Sequence, residues 1–333
     1  MTTLLEARYR RVLRLLPASY LRAREEEMVE TYLWDVDRET QDQSRPTLGE
    51  VASVAALAVR TRLAAADGPR PYAQLGSAAR LFALFAVLLQ AASSVVDRAL
   101  ELTWASTGGV TRLEMFLSGF TGRGLPAGIL TVATWLLPLL WAAGYFAVLH
   151  DRRRLARLSV LLAALPTLWP LLAPLTDAAA PSDPAYAAAC ALLAWLAALA
   201  LCAAHHRDAP RAALPGGAPG LLFLGCCVVM GGSVVLLPIA ADSAWAPATA
   251  FLLGGVGWLL TRVRRGDQNT ACGTLALAAL GLLILAVRVT ALYPWLDVPL
   301  PGAFLGGALV QTTGLALLTL TLTLVGRRAL LSR

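Results

Sequence analysis

The stretch from residue 126 to residue 157 restricts the fold more than any other part of the chain. Residues 126–149 carry no charged side chain, and about 20 mostly apolar residues suffice to cross the hydrocarbon core of a bilayer. The run is followed by four arginines at positions 152, 153, 154 and 157. Arginine-rich loops beside a span favour the cytoplasmic side. The sequence therefore predicts an integral membrane protein whose arginine clusters indicate its orientation.

The same unit, an apolar run that ends in arginine, recurs along the chain and predicts eight spans. They lie at about 79–100, 127–149, 158–176, 186–204, 220–241, 245–262, 271–292 and 303–325. Further arginine-rich ends lie at 205–211, 262–265 and 327–328. The loops at 177–186, 241–246 and 293–302 carry acids and prolines but no arginine, which predicts that they are external. An even number of spans with this arginine distribution places both termini in the cytoplasm.

Composition excludes several other classes of protein. Hydrophobic residues make up 57% of the chain and charged residues 15%, against roughly 45–50% and 25% in soluble domains. The net charge of +7 does not predict a nucleic-acid partner, because the basic residues cluster at helix ends and not on one folded face. The basic residues are all arginine, which excludes covalent catalysis by lysine.

Enzyme and cofactor motifs are absent from the sequence. The chain has no Gly-rich loop ending in Gly-Lys-Ser/Thr and no His-Glu-x-x-His motif. The five cysteines fall inside apolar segments, without the paired spacing of a metal site. A metal at Cys202, His205, His206 and Asp208 would need a further ligand, and His150 at another helix end is the only candidate histidine. We therefore expect a protein that is not an enzyme and that holds no cofactor and no metal.

Residues 1–72 differ in composition from residues 73–333 and predict a separate helical domain. Apolar residues at helical spacing predict one helix up to Pro17 and a second from about Ala18 to Gln41. Thr47 and Glu50 have the spacing of a capping box, which begins a third helix that runs to about Ala65. The predicted fold is thus all-α, with a three-helix domain followed by a polytopic membrane domain.

Two motifs in the first domain carry a resemblance to a known family. The segment 8–17 reads Arg-Tyr-Arg-Arg-Val-Leu-Arg-Leu-Leu-Pro, and the segment 24–28 reads Arg-Glu-Glu-Glu-Met. Over about the first 65 residues, the chain resembles the HAAS-like or permease-prefix helical domains of actinobacterial membrane proteins. The resemblance implies a cytosolic module that regulates or docks a partner, in a protein of the bacterial plasma membrane.

Charged residues near the outer ends of two predicted spans are the main site candidates. Arg288 lies four or five residues inside the seventh span, where an embedded charge is costly unless it is paired or hydrated. Asp97 and Glu101 lie one turn apart near the end of the first span and are the expected partners of Arg288. Together they form either an inter-helix ion pair at the rim or the mouth of an external ligand or ion site.

Buried polar residues and one external loop add further candidates. Gln90 in the first span and Gln311 in the eighth favour interhelical hydrogen bonds or, alternatively, a path for a polar substrate. The loop at about 102–124 has too few apolar residues to cross a membrane. It predicts either a short helix on the outer surface or a lid over an external cavity.

Two functions remain open on these observations. The first is a regulatory or accessory membrane subunit whose residues 1–72 dock a cytosolic protein partner. The alternative is a small-solute transporter or permease component with an external site near Arg288, Asp97 and Glu101. Both place the chain in a lipid bilayer, and both are compatible with a homo-oligomer or a hetero-oligomer.

Overall fold

A computed structural model gives the structure of most of the chain. It describes residues 4–34, 45–64, 70–121, 125–172, 183–205, 218–238, 242–262, 268–296 and 302–331. These residues are almost entirely helical and contain no strand. Contacts divide the chain into two compact units, Met1–Ser77 and Ala78–Arg333.

The first unit contains three helices and the start of a fourth. Its helices are α1 (Leu4–Leu13), α2 (Ala18–Trp34) and α3 (Leu48–Ala64). Leu5 and Leu13 are fully buried on the apolar face of α1. The capping box before α3 is confirmed, because the Thr47 amide donates to Glu50 at 2.6 Å and the Glu50 amide donates to the Thr47 hydroxyl at 3.3 Å. The predicted continuation of α2 to Gln41 lies outside the described residues.

The second unit contains the remaining helices. These are α4 (Arg70–Thr107, which begins in the first unit), α5 (Gly109–Thr121), α6 (Leu125–Leu136), α7 (Leu140–Leu149), α8 (Arg153–Ala164), α9 (Trp169–Leu172), α10 (Pro184–Ala204), α11 (Pro219–Leu236), α12 (Trp245–Arg262), α13 (Gln268–Leu292) and α14 (Gly302–Leu331). Short 3-10 turns at Leu137–Leu139 and Leu165–Leu168 join α6 to α7 and α8 to α9. Each turn contains a proline, which cannot donate a helical hydrogen bond.

Seven helical segments in the described ranges are long and apolar enough to cross a membrane. They are Tyr72–Thr107, Gly128–Leu149, Arg153–Leu172, Pro184–Ala204, Pro219–Leu236, Thr270–Trp295 and Phe304–Leu331. The prediction of an all-α, multi-pass membrane protein is therefore confirmed in this form. The predicted span at 245–262 corresponds to α12, whose apolar part Trp245–Thr261 is shorter than the other seven. The ends of two predicted spans, 173–176 and 239–241, lie outside the described residues.

Arginine-rich ends are visible at two of the predicted positions. The turn between α7 and α8 holds Arg152, after Asp151 in a left-handed conformation with φ of 59°, and Arg328 lies in the last turn of α14. An aspartate tolerates the left-handed region better than most residues other than glycine. The predicted arginine-rich ends at 206–211 and 263–265 lie outside the described residues.

Helices α4 and α13 form the centre of the second unit, whereas α11 lies at its periphery. In the apolar windows of α4 and α13, 56% of the window is buried inside the protein, whereas the share in α11 is 6%. Close packing around α13 depends on Gly281, because a Cβ there would lie 2.5 Å from the Thr319 hydroxyl and 2.8 Å from the Phe251 ring. Small residues of this kind let helices approach closely in a membrane.

Candidate functional site

A cavity of about 460 Å³ lies in the second unit. Its lining residues come from α4, α10, α12 and α13, with Thr167 from the turn before α9 and Ser243 and Ala244 from the approach to α12. The polar and charged residues among them are Gln90, Ser93, Asp97, Arg98, Glu101, Thr167, Tyr186, Cys190 and Ser243. The apolar remainder includes Leu89, Leu193 and Val287. A volume of this size matches sites for small molecules, which occupy about 300–1,000 Å³.

The cavity lies where the C-terminal parts of α4 and α13 meet the N-terminal ends of α10 and α12. Asp97 lies in the last third of α4, and Val287 lies near the end of α13. Tyr186 lies in the first turn of α10, and Ser243 comes just before α12. Helices that alternate in direction bring such ends to the same side of a bundle. The cavity therefore lies near one end of the bundle.

One face of α4 supplies most of the polar lining. Gln90, Ser93, Asp97 and Glu101 follow one another at three- or four-residue spacing, so their side chains share a helical face. Eleven residues of helix rise by about 16 Å, so this polar face extends from the end of the helix well into its apolar span. The sequence carried this signal in the spacing of polar residues within an apolar run. The structure thus brings together three of the predicted site residues: Gln90, Asp97 and Glu101.

Glu101 is paired within the cavity wall. Arg98 Nη1 donates to Glu101 Oε2 at 2.6 Å, and the indole Nε1 of Trp135 donates to the same oxygen at 2.7 Å. The Arg98 guanidinium also lies 5.5 Å from the centre of the Trp135 ring. Asp97 instead has the Ser93 side chain beside its carboxylate. Of the described arginines, none hydrogen-bonds to Asp97, which is exposed to the cavity.

Arg288 pairs with a residue that sequence reasoning missed. Its side chain is fully buried, and Nη1 donates to Asp242 Oδ1 at 2.6 Å and also to Oδ2. The Trp245 ring centre lies 5.6 Å from the guanidinium carbon. The expectation that Asp97 or Glu101 pairs with Arg288 is corrected accordingly. Asp242 takes this place because it begins the turn into α12, next to the end of α13.

The start of α12 is fixed to two neighbouring helices. Asp242 Oδ1 also accepts a hydrogen bond from the Ala244 amide at 3.0 Å, so one carboxylate both caps the turn and neutralises Arg288. On α14, Gln311 Nε2 donates to the Trp245 carbonyl at 3.0 Å and to Thr249 Oγ1 at 2.8 Å. Gln311 therefore makes interhelical hydrogen bonds, which is one of the two roles predicted for it from the sequence. It is not among the residues that line the cavity.

These contacts stabilise one wall of the cavity. Ser243 and Ala244, which line it, lie between the paired Asp242 and the anchored Trp245. On α13, Val287 lines the cavity next to the buried Arg288. Arg288 therefore borders the cavity without lining it. Tyr186 was not predicted, because a tyrosine at a span end is also typical of the lipid interface. Ser243 was not predicted, because a single serine in a loop belongs to no pattern.

No group of three histidine, cysteine, aspartate or glutamate side chains is placed to bind a metal ion in the described ranges. The candidate ligands His206 and Asp208 lie outside those ranges. All five cysteines are free, and Cys190 is the one that lines the cavity.

Comparison with known protein families, curated proteins and solved structures finds no match for this chain.

Proposed function

We propose that the second unit binds a small cationic solute in this cavity and acts as a transporter or permease component. The observation that carries the proposal is the polar face of α4, which lines a cavity between helices that are otherwise apolar. Polar groups are costly in the hydrocarbon core, and those that face an internal cavity are typical of substrate and ion pathways. The proposal develops the second of the two functions that the sequence left open.

Charge favours a cation as the ligand. Asp97 and Glu101 contribute two carboxylates to the lining, and Arg98 contributes one guanidinium, which is bound to Glu101. The lining therefore holds one more carboxylate than guanidinium, and Arg98 hydrogen-bonds to Glu101 and not to Asp97. The Arg288–Asp242 pair beside the cavity is neutral as a whole. Tyr186 and Ser243 supply hydroxyl groups that accept hydrogen bonds from an ammonium group.

Orientation completes the proposal. We take α12 as an eighth span, since its 18 residues lie within the range of about 17–25 that crosses a bilayer. Eight spans with the arginine-rich turn after α7 inside place both termini in the cytoplasm of a bacterial plasma membrane. The cavity then opens to the outer side, because Asp97 lies toward the far end of the first span.

Labelling of Cys190 tests the sign and the sidedness of the cavity. Right-side-out vesicles are treated with an impermeant methanethiosulfonate carrying either a trimethylammonium or a sulfonate group, and Cys190 modification is followed by mass spectrometry. We expect the cationic reagent to react at least about ten-fold faster, because a focused negative potential raises the local cation concentration. Asp97→Asn lowers this ratio, whereas Glu114→Gln, which changes an exposed acid outside the lining, leaves it unchanged. Equal rates for both reagents in the wild-type protein contradict the proposal.

Uptake tests transport itself. Full-length protein in liposomes is supplied with radiolabelled choline or methylammonium, with acetate as the anionic comparison. We expect cation uptake above that of protein-free liposomes and its loss in Asp97→Asn. Cation-selective labelling of Cys190 without uptake of either cation assigns the cavity to binding alone.

A groove on the first unit favours a second function, the docking of a cytosolic partner. It has a volume of about 540 Å³ and is lined by Tyr9, Tyr20, Arg24, Glu27, Met28, Thr31, Tyr32, Glu50 and Ser53. Tyrosine and arginine are enriched at the centres of protein interfaces. On this proposal, residues 1–72 are the regulatory module that the HAAS-like resemblance implies, and the protein is an accessory subunit.

Crosslinking in cells tests the docking proposal. A photo-reactive residue in place of Tyr20 is expected to capture one defined cytosolic protein from the native host. The same residue in place of Arg8, outside the groove, is expected not to capture it. Equal capture from both positions, or complex formation that survives deletion of residues 1–72, contradicts this function.

A further inference from the structure

Helix α5 is an amphipathic helix with a partly uncovered apolar face. Val110, Leu113 and Leu117 lie on one side at helical spacing and are 71%, 45% and 49% exposed. The other side carries Thr111, Met115 and Ser118, and Glu114 lies at the boundary, one turn from Val110. Isolated exposed apolar residues are common on any protein, but a continuous apolar stripe opposite a polar one is typical of a helix that lies at a lipid interface.

Two phenylalanines on the apolar side of α5 anchor this helix to α6. Phe116 and Phe120 lie next to the exposed stripe and meet the Trp135 ring of α6 edge-on, at centroid distances of 6.4 and 6.3 Å. The Trp135 indole in turn donates to Glu101 in the cavity wall at 2.7 Å. A chain of direct contacts therefore runs from α5 through Trp135 to the rim of the cavity.

The uncovered stripe is continuous with the lipid-facing surface of a spanning helix. On α6, which packs against α5, Ile129, Val132 and Leu136 are 68%, 42% and 48% exposed. These residues belong to a segment that is apolar and long enough to cross the membrane, so their exposed side chains meet lipid.

A residue pair typical of the interface links the end of α4 to α5. The Arg112 guanidinium lies 5.4 Å from the Trp104 ring centre, and Trp104 is 44% exposed near the end of α4. Tryptophan and arginine at a span end favour the headgroup region. The left-handed Gly109, with φ of 72°, lets the chain turn from α4 into α5 at this level.

We infer that α5 lies in the bilayer interface, with Val110, Leu113 and Leu117 against the acyl chains, and that this lipid contact holds Trp135 against Glu101 at the cavity rim. The partner of the stripe is thus the bilayer itself. The inference goes beyond solute binding and holds whatever the cavity takes up, because it concerns how the rim is kept in place.

Hydrogen exchange of the full-length protein in lipid nanodiscs tests both parts. In Leu113→Asp/Leu117→Asp the stripe loses its affinity for acyl chains, so exchange over residues 109–121 is expected to rise by about ten-fold. A smaller rise is expected over 99–104, the rim segment. The matched variant Thr111→Asp/Ser118→Asp adds the same charge on the opposite face and is expected to exchange as the wild type does. Wild-type protein in amphipol, without a bilayer, is expected to resemble the stripe variant.

Three outcomes overturn the inference. Equal exchange in both double variants shows that the stripe does not contact lipid. Protection of residues 109–121 that rises with protein concentration and not with lipid assigns the stripe to a second copy of the chain. Trp135→Phe keeps the ring contacts with α5 but removes the hydrogen bond to Glu101, so exchange is expected to rise at 99–104 alone. An unchanged rim in this variant removes the link between α5 and the cavity.

Discussion

The guanidinium of Arg288 and the carboxylate of Asp242 form a buried ion pair between positions 46 residues apart in the sequence. Arg288 is fully enclosed, and the side chain of Asp242 is 14% exposed. Within the described part of the chain, Nε and Nη2 of Arg288 have no hydrogen-bond acceptor, so Asp242 is the group that compensates its charge. Since Asp242 also caps the turn into α12, removal of this carboxylate affects both a charge and a helix start.

Asp242→Ala is therefore expected to destabilise the second unit strongly. Loss of one partner of a buried pair leaves an uncompensated charge and costs about 3–5 kcal/mol. Denaturant unfolding of the full-length protein in micelles, followed by circular dichroism, measures the change in the free energy of unfolding.

The double variant Asp242→Ala/Arg288→Met separates charge from helix capping. It removes the uncompensated guanidinium, so we expect it to recover most of the loss, apart from about 1 kcal/mol for the missing cap. A double variant as unstable as Asp242→Ala alone contradicts the view that the buried charge is the main cost.

Gln311→Leu is expected to weaken the attachment of α12 to α14. The variant removes the two hydrogen bonds that the Gln311 amide donates to the Trp245 carbonyl and to the Thr249 hydroxyl. Their loss is expected to cost about 1–3 kcal/mol in unfolding free energy. Gln90→Leu is the matched control, because Gln90 faces the cavity. The same unfolding measurement is expected to give a smaller change for it, and equal losses would contradict the roles given to the two glutamines.

Gly281→Ala is expected to disturb the contact of α13 with its neighbours. The added Cβ meets Thr319 and the ring of Phe251, and overpacking of this kind costs about 1–3 kcal/mol. Gly254→Ala serves as the control, because a Cβ at that position would meet no heavy atom of the described residues within 4 Å, apart from its own helical turn. Denaturant midpoints of the two variants give the comparison, and equal midpoints would contradict the close approach at Gly281.

The first unit is expected to lose stability in acid. Arg10 Nη2 hydrogen-bonds to Glu26 at 2.8 Å, which lowers the pKa of Glu26 from its ordinary value of 4.5. A carboxyl whose pKa is lowered by folding contributes stability above its unfolded pKa and loses it as the pH falls through the folded value. Exchange protection of α1 and α2, corrected for the intrinsic pH dependence, is expected to fall between about pH 5 and pH 3.

Arg10→Gln tests the origin of this acid sensitivity. The variant removes the guanidinium that Glu6, Glu25 and Glu26 share, so the pH dependence of protection is expected to flatten. Arg14→Gln, at an exposed position after α1, is a control for general loss of charge. A wild-type slope in Arg10→Gln would show that other carboxyl groups cause the effect.

Sequence reasoning predicted those features that depend on local order along the chain. Apolar runs predicted the helices that are long enough to span a membrane, because a helix needs about 20 apolar residues to cross the hydrocarbon core of a bilayer. The spacing of Thr47 and Glu50 gave the start of α3, because a capping box is complete within four residues. Polar residues within an apolar run are costly in a membrane and are therefore candidates for functional sites. This identified Gln90, Asp97 and Glu101.

Pairings between helices could not be predicted in the same way. The sequence gives the depth of Arg288 in its span but not the rotation of α13 about its axis, and rotation decides which acid its guanidinium meets. Asp242 lies in a loop with no periodic pattern, so nothing local marked it as a partner. Trp135 was missed for a similar reason, since an indole in a span is equally compatible with lipid and with a hydrogen bond to Glu101.

The walls of the cavity come from helices that lie far apart along the chain, between Leu89 on α4 and Val287 on α13. A solute held there would act as a non-covalent cross-link among segments that are otherwise joined only through loops. Mechanical extraction of the chain from the membrane by its C terminus would then meet a larger rupture force at α13 when the solute is present. The increase in rupture force caused by the solute would be lost in Asp97→Asn, although the sequence of the pulled helix is unchanged.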